Sequence, residues 1–181
     1  MSNIAVRTVV RDILKVVKEN NDGYFYLPSN QEDGEYVFSN LPFSFSVEVD
    51  LEFDESFDDP HIDGAFSHED DTIEILIRLN PNNTSEKYYS LVGELNEVIA
   101  HELTHATQKY RGGEYVENNP ENNIDYYIRP DEVEAQIKGF KRISKMTGTP
   151  YNEVVRRWFD THQFQHGLND DEIEKVISIL T

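Results

Sequence analysis

The chain has 181 residues, 38% of them apolar and 12% aromatic, enough for one domain with its own core and too few for two comfortable ones. With no cysteine it can have no disulfide, thiolate metal site or cysteine nucleophile, so any metal must be held by histidine and carboxylate. The formal net charge of −19 argues against binding nucleic acid, whose phosphates would be repelled, and favours a basic peptide or a positively charged protein surface as partner, beside its plain value for solubility.

From Met1 to Glu19, the apolar Val9, Val10, Ile13, Leu14, Val16 and Val17 are interleaved with Arg7, Arg11, Asp12, Lys15 and Lys18. That is the period of an amphipathic helix, not the unbroken apolar run of a secretion signal. No later stretch approaches a membrane span, and the expectation is a soluble, cytoplasmic protein. Asn20 to Gly34 reads as polar and turn-rich, punctuated by Gly23, Pro28 and Gly34. Phe43 to Phe53 then alternates, with Phe43, Phe45, Val47, Val49, Leu51 and Phe53 on one side. Thr72 to Leu79 repeats the period with Ile73, Ile75 and Ile77, which predicts two half-buried strands.

Between these strands, the acidic stretch Asp54 to Asp71 is expected to be a long exposed connection. Within it Asp59, His61, Asp63, Gly64 and Asp70 fall near the ligand positions of a calcium loop. Histidine at the third position, aspartate at the last and strand flanks argue against that site, and a solvated acidic loop is the better reading. Pro81 to Thr84 ends the second strand and offers an Asn or Thr cap to a long helix that no proline interrupts before Lys109. Gly112 and Gly113 close that region, and Glu114 to Asn123 is polar and irregular. Further helices are expected after Pro130 to about Lys145, from Thr149-Pro150, and from Asn169-Asp170. The expected fold is α+β in a single domain: a small mixed sheet and its long helix over residues 1–110, and a helical half over 111–181.

The long helix carries His101-Glu102-Leu103-Thr104-His105. Residues at i and i+4 share a helix face, so both imidazoles can reach one metal ion with a carboxylate beside it. Neutral imidazole is a good ligand for Zn²⁺, and a catalytic zinc takes three protein ligands and keeps a fourth position for water. The ion lowers the pKa of that water and polarises a carbonyl, while a carboxylate takes the water's proton and passes it to the leaving amine; Glu102 is placed for that role. The bland alternative, two solvated histidines, fits poorly with Val98, Ile99, Ala100, Leu103 and Ala106 around them.

A third donor must come from elsewhere. The metzincin extension, with glycine and histidine three and six positions after the second histidine, fails because those positions hold Gln108 and Arg111. The helix after Pro130 offers Asp131, Glu132 and Glu134. Glu132 shares a face with Ala135, Gln136 and Gly139, which suits close approach to the metal helix, whereas Glu134 shares one with Lys138 and Lys141, which suits solvent. Tyr126, Tyr127, His162 and His166 are candidate oxyanion donors, each as readily explained by packing or surface position. Trp158, with Val155 and Phe159, reads as helix core.

His101 to His105 followed by Glu132-Val133-Glu134-Ala135 resembles the gluzincin arrangement, in which a downstream helix supplies a glutamate three residues before a small residue. The likeness is to minigluzincins and other compact zincin-like peptidases, and Tyr127-Ile128-Arg129-Pro130 is similar to zincin-like proteins of tailed phages. It covers Val98 to Gly139. It implies a zincin-like fold and a Zn²⁺-dependent metallopeptidase, with His101, His105 and Glu132 as metal ligands, Glu102 as catalytic base, and the strand Thr72 to Leu79 pairing with an extended substrate. Thr107 departs from the usual apolar residue, and the aspartate that often follows the small residue is missing. Two other readings are a catalytically weak zincin-shaped module, serving in protein–protein interaction or as a virion component, and a metal-free acidic interaction protein.

Overall fold

The computed structural model describes residues 3–19, 22–28, 34–112, 124–162 and 167–181. Strands β1 (Gly23–Leu27), β2 (Tyr36–Val37), β3 (Ser44–Phe53), β4 (His61–Ser67) and β5 (Thr72–Leu79) form a small mixed sheet of order β1-β3-β5-β4, with β2 also on β3. β3 and β5 run parallel, while β1 and β4 are antiparallel to their neighbours. The alternation that predicted β3 and β5 also sets their register. Val47, Val49 and Leu51 lie opposite Ile73, Ile75 and Ile77, and all six are buried on one face of the sheet. Helix α1 (Asn3–Glu19) adds Ala5, Val6, Val9 and Ile13 to this core, and α2 (Tyr88–Tyr110) adds Leu91, Leu95, Ile99 and Leu103.

The structure departs from the sequence expectation in four places. The middle of Asp54 to Asp71 is not an exposed connection but strand β4. Its outward side mixes the polar His61, Asp63 and Ser67 with the apolar Ala65, and one of its three inward positions is a glycine, so its alternation is weak in the sequence. The calcium-like set is drawn into separate pairs, Asp59 with Lys87 at 2.6 Å and Asp63 with His61 at 2.7 Å. Inside the stretch read as turn-rich, Tyr24, Phe25 and Tyr26 build β1, the aromatic preference for a pleated surface outweighing the glycines around them. β5, read as the strand that would pair with substrate, lies between β3 and β4 and has both backbone edges occupied; the outer strand on that side is β4. Finally, α2 begins at Tyr88, after a turn in which the Thr84 amide and hydroxyl both donate to the Asn80 carbonyl, and no side chain caps it.

A second core forms among α3 (Ile124–Tyr127), α4 (Pro130–Thr147), α5 (Tyr151–Thr161) and α6 (Asp170–Leu180), around Tyr127, Phe140, Val155, Phe159 and Val176. The helix starts expected at Pro130, Pro150 and Asn169 are those observed. Pro130 opens α4, and Asn169 with Glu172 closes a reciprocal capping box on α6. Among the described residues, no helix is long and apolar enough to cross a membrane.

Two glycines bring these layers into register. A Cβ on Gly64 of β4 would lie 2.4 Å from Val98 Cγ1 and 3.2 Å from Glu102 Cγ, so only glycine lets β4 approach α2 at the base of the proposed motif. A Cβ on Gly139 would lie 3.1 Å from Glu97 Cγ, so the crossing of α4 over α2 is also close, though less so than that of β4. That crossing is pinned further along by Arg142, whose guanidinium donates to Asn96 Oδ1 of α2 and to Asn3 Oδ1 of α1. Both sites of close approach fall on α2 between Glu97 and Glu102, the stretch that includes His101.

Candidate metal centre

Seated on α2 and facing α4, His101 and His105 turn their Nε2 atoms toward each other at 3.0 Å. Glu132, in the first turn of α4, brings Oε2 to 3.4 Å from His101 Nε2 and Oε1 to 3.5 Å from His105 Nε2. The ligand atoms of all three lie within 4.8 Å of one another, and the group could hold a metal ion. Among the described residues Glu132 Oε2 is buried without a hydrogen-bond partner, and it stands with two imidazole nitrogens around one point where a cation would be met by all three side chains. The donor set fits a divalent ion.

The sequence left three acidic residues of α4 open, and the structure separates them. Asp131 is taken by the Arg129 guanidinium, and Glu134 sits toward Arg111 at 3.5 Å on the exposed side. Only Glu132 is brought to the histidines. Burial works against its charge, but the close imidazoles outweigh this and hold its carboxyl well below the usual range. Burial equally disfavours a charged His101, and the neighbouring carboxylates of Glu132, Glu102 and Glu97 reverse that, raising its pKa to about 9.

Gln108 has a role the sequence reading passed over. Its Nε2 donates to the Asp131 carbonyl at 2.9 Å, which orients the amide so that Oε1 faces His105 Nδ1, also at 2.9 Å. Nδ1 must then carry the proton, leaving the Nε2 lone pair directed at the centre. The signal was its position three residues after His105, on the same helical face.

Glu102 is buried beside β4, and burial pushes its carboxyl upward against the pull of His101 and His105. Glu97, one turn before His101 and also missed, is buried, and its carboxyl is pushed up to about 7 by loss of water, opposed by His101 and by a hydrogen bond with Trp158. Tyr126, at the end of α3, has its phenol pushed far up by burial and by the adjacent charges of Glu132 and Glu102, so it stays protonated as a donor. Tyr127 is mostly core, buried against Phe159, and His162 stacks on Trp158 at 4.6 Å. His166 lies outside the described residues.

His101 and Glu102 open onto a cleft of about 710 Å³, bordered on one side by Asp63 and Ala65 of β4 and on the other by Tyr126 and Gln136. No family model matches this chain, nor does any curated protein or solved structure.

Proposed function

We propose that this protein is a zinc-dependent peptidase of zincin-like architecture, with His101, His105 and Glu132 as ligands. The observation that carries the reading is the convergence of these three side chains from two helices within 4.8 Å, with His101 and Glu102 lining one cleft. Two nitrogens and one carboxylate, without sulfur, make the donor set of a catalytic zinc. When bound, zinc supplies the Lewis acidity that makes water a nucleophile near neutral pH and polarises a substrate carbonyl.

The chain's own residues do the rest. Among the described residues β4 is the outermost strand on the cleft side, and an extended peptide adds along it as a further strand and presents its scissile bond to the centre. Glu102 accepts the proton of the attacking water and returns it to the departing amine. Burial raises the proton affinity of its carboxyl, which suits it to both steps. The protonated phenol of Tyr126 faces the same charges and donates to the oxyanion as it develops. Gln108 holds the His105 tautomer that ligation needs.

Glu102→Gln tests the reading. With zinc added, the variant should lose peptide hydrolysis by about a thousandfold while its zinc content matches the wild type. Undiminished hydrolysis would remove Glu102 from the reaction. A wild-type protein that keeps zinc yet cleaves no peptide in a broad library would favour the metal-binding module instead.

A further inference from the structure

Resting on the peptidase reading, we propose that the cleft contains a pocket for a cationic side chain, lysine or arginine, close to the scissile bond, floored by the Glu97 carboxylate and Gln136 Oε1. Both residues line the same cleft as His101 and Glu102, and both are deeply buried, Glu97 at 8% exposed and Gln136 at 6%. Glu97 stands one turn before His101 on α2, and Gln136 one turn after Glu132 on α4. The pocket floor is therefore built by the same helix crossing that builds the metal centre. Gly139 allows it, since any side chain there would press on Glu97.

The two floor groups ask for a donor. Among the described residues Gln136 Oε1 is buried with no hydrogen-bond partner, and a buried acceptor is costly to leave unmet unless a ligand donates to it. Glu97 accepts a hydrogen bond from Trp158, which leaves carboxylate lone pairs free for an ammonium or guanidinium. An apolar side chain would leave both acceptors stripped of water, and an acidic one would meet Glu97 together with Glu94, one turn earlier on α2 and on the same cleft. The walls suit the stem of a long cation: Trp158 and Phe140 line the cleft with ring centroids 5.7 Å apart, and Tyr127 lies beside them. Among the described residues Glu97 belongs to no group of three donors that could hold a metal ion, and a single carboxylate with one amide oxygen suits an organic cation better.

Trp158 is the only tryptophan of the chain and lines the cleft, so its fluorescence reports occupancy directly. The experiment adds blocked peptides Ala-Ala-X-Ala-Ala, with X as lysine, arginine, norleucine or glutamate, to zinc-loaded Glu102→Gln protein, in which cleavage is suppressed. The lysine and arginine peptides should bind at least about tenfold more tightly than norleucine, with glutamate weakest. Adding Glu97→Gln, or separately Gln136→Leu, should bring the lysine-to-norleucine ratio toward one; reading a ratio within each folded variant removes any general loss of affinity. Norleucine binding as tightly as lysine, a ratio unchanged in both variants, or no response to any peptide would overturn the pocket. Because cleavage is not measured, the result stands apart from the reaction: an intact ratio in a protein that hydrolyses nothing would refute the peptidase reading alone, and a flat ratio in one that hydrolyses peptides would refute the pocket alone.

Discussion

Helix α2 carries two stripes of opposite chemistry. Leu91, Leu95, Ile99 and Leu103 fall one turn apart toward the sheet and α1, and every one is at most 1% exposed. Glu97, His101 and His105 fall one turn apart toward α4, where they meet Glu132, Gln136 and Gly139. The first stripe stabilises the fold, at about 1.5–3 kcal/mol for each side chain taken fully from water. The second works against it, because carboxylates and an unpaired amide oxygen are buried there at a desolvation cost that apolar residues of the same size would not incur. A single helix thus carries the apolar contacts of the fold on one stripe and the candidate metal ligands on another.

The largest effect expected from disturbing that contrast is a gain of stability. Glu97 has a folded pKa of about 7 against 4.5 for an unperturbed glutamate, because burial disfavours its charge. A raised folded pKa means the contribution is complete below about 4.5 and is lost as pH climbs through about 7. Glu97→Gln removes the charge while keeping an acceptor for Trp158. In chelator-treated protein it should therefore match the wild type near pH 4.5 and become more stable by up to about 3 kcal/mol at pH 8. Urea unfolding at the two pH values checks this, and a stability difference that does not change with pH would place the two stripes on an equal footing.

The next effect falls on metal affinity. Gln108→Ala frees His105 Nδ1 from its acceptor and should weaken zinc binding by about ten- to a hundredfold in a chelator competition, with little change in the stability of the metal-free protein. Unchanged affinity would mean the imidazole is oriented by packing alone. The smallest effect sharpens the comparison from outside both stripes. Gly93 is helical, with open space where a Cβ would go, so Gly93→Ala should add about 0.5–1 kcal/mol in urea unfolding and leave zinc affinity untouched.

Periodicity made much of this legible. The two inner strands and the starts of α4, α5 and α6 follow from alternation and from Pro130, Pro150 and Asn169. The face shared by Glu132, Ala135, Gln136 and Gly139 pointed to the carboxylate that the structure sets beside the histidines. β4 was not legible, because its inward face includes a glycine whose purpose, close approach to α2, appears only once the helix is in place. Which strand would lie outermost was equally hidden, since strand order is set by long-range pairing that local pattern does not encode. Glu97 and Gln136 were within reach: each lies one turn from a proposed ligand, on its face, and an acidic or amide side chain at a position otherwise bound for burial is a marker of function.

The central claim is that His101, His105 and Glu132 together grip one divalent cation. Metal analysis after zinc loading and extensive buffer exchange tests it most directly, comparing wild type with His105→Ala, Glu132→Ala and Glu134→Ala. The account predicts equimolar zinc in the wild type and in Glu134→Ala, and almost none in the other two. Zinc retained in full by Glu132→Ala and His105→Ala, or absent from the wild type, would contradict it.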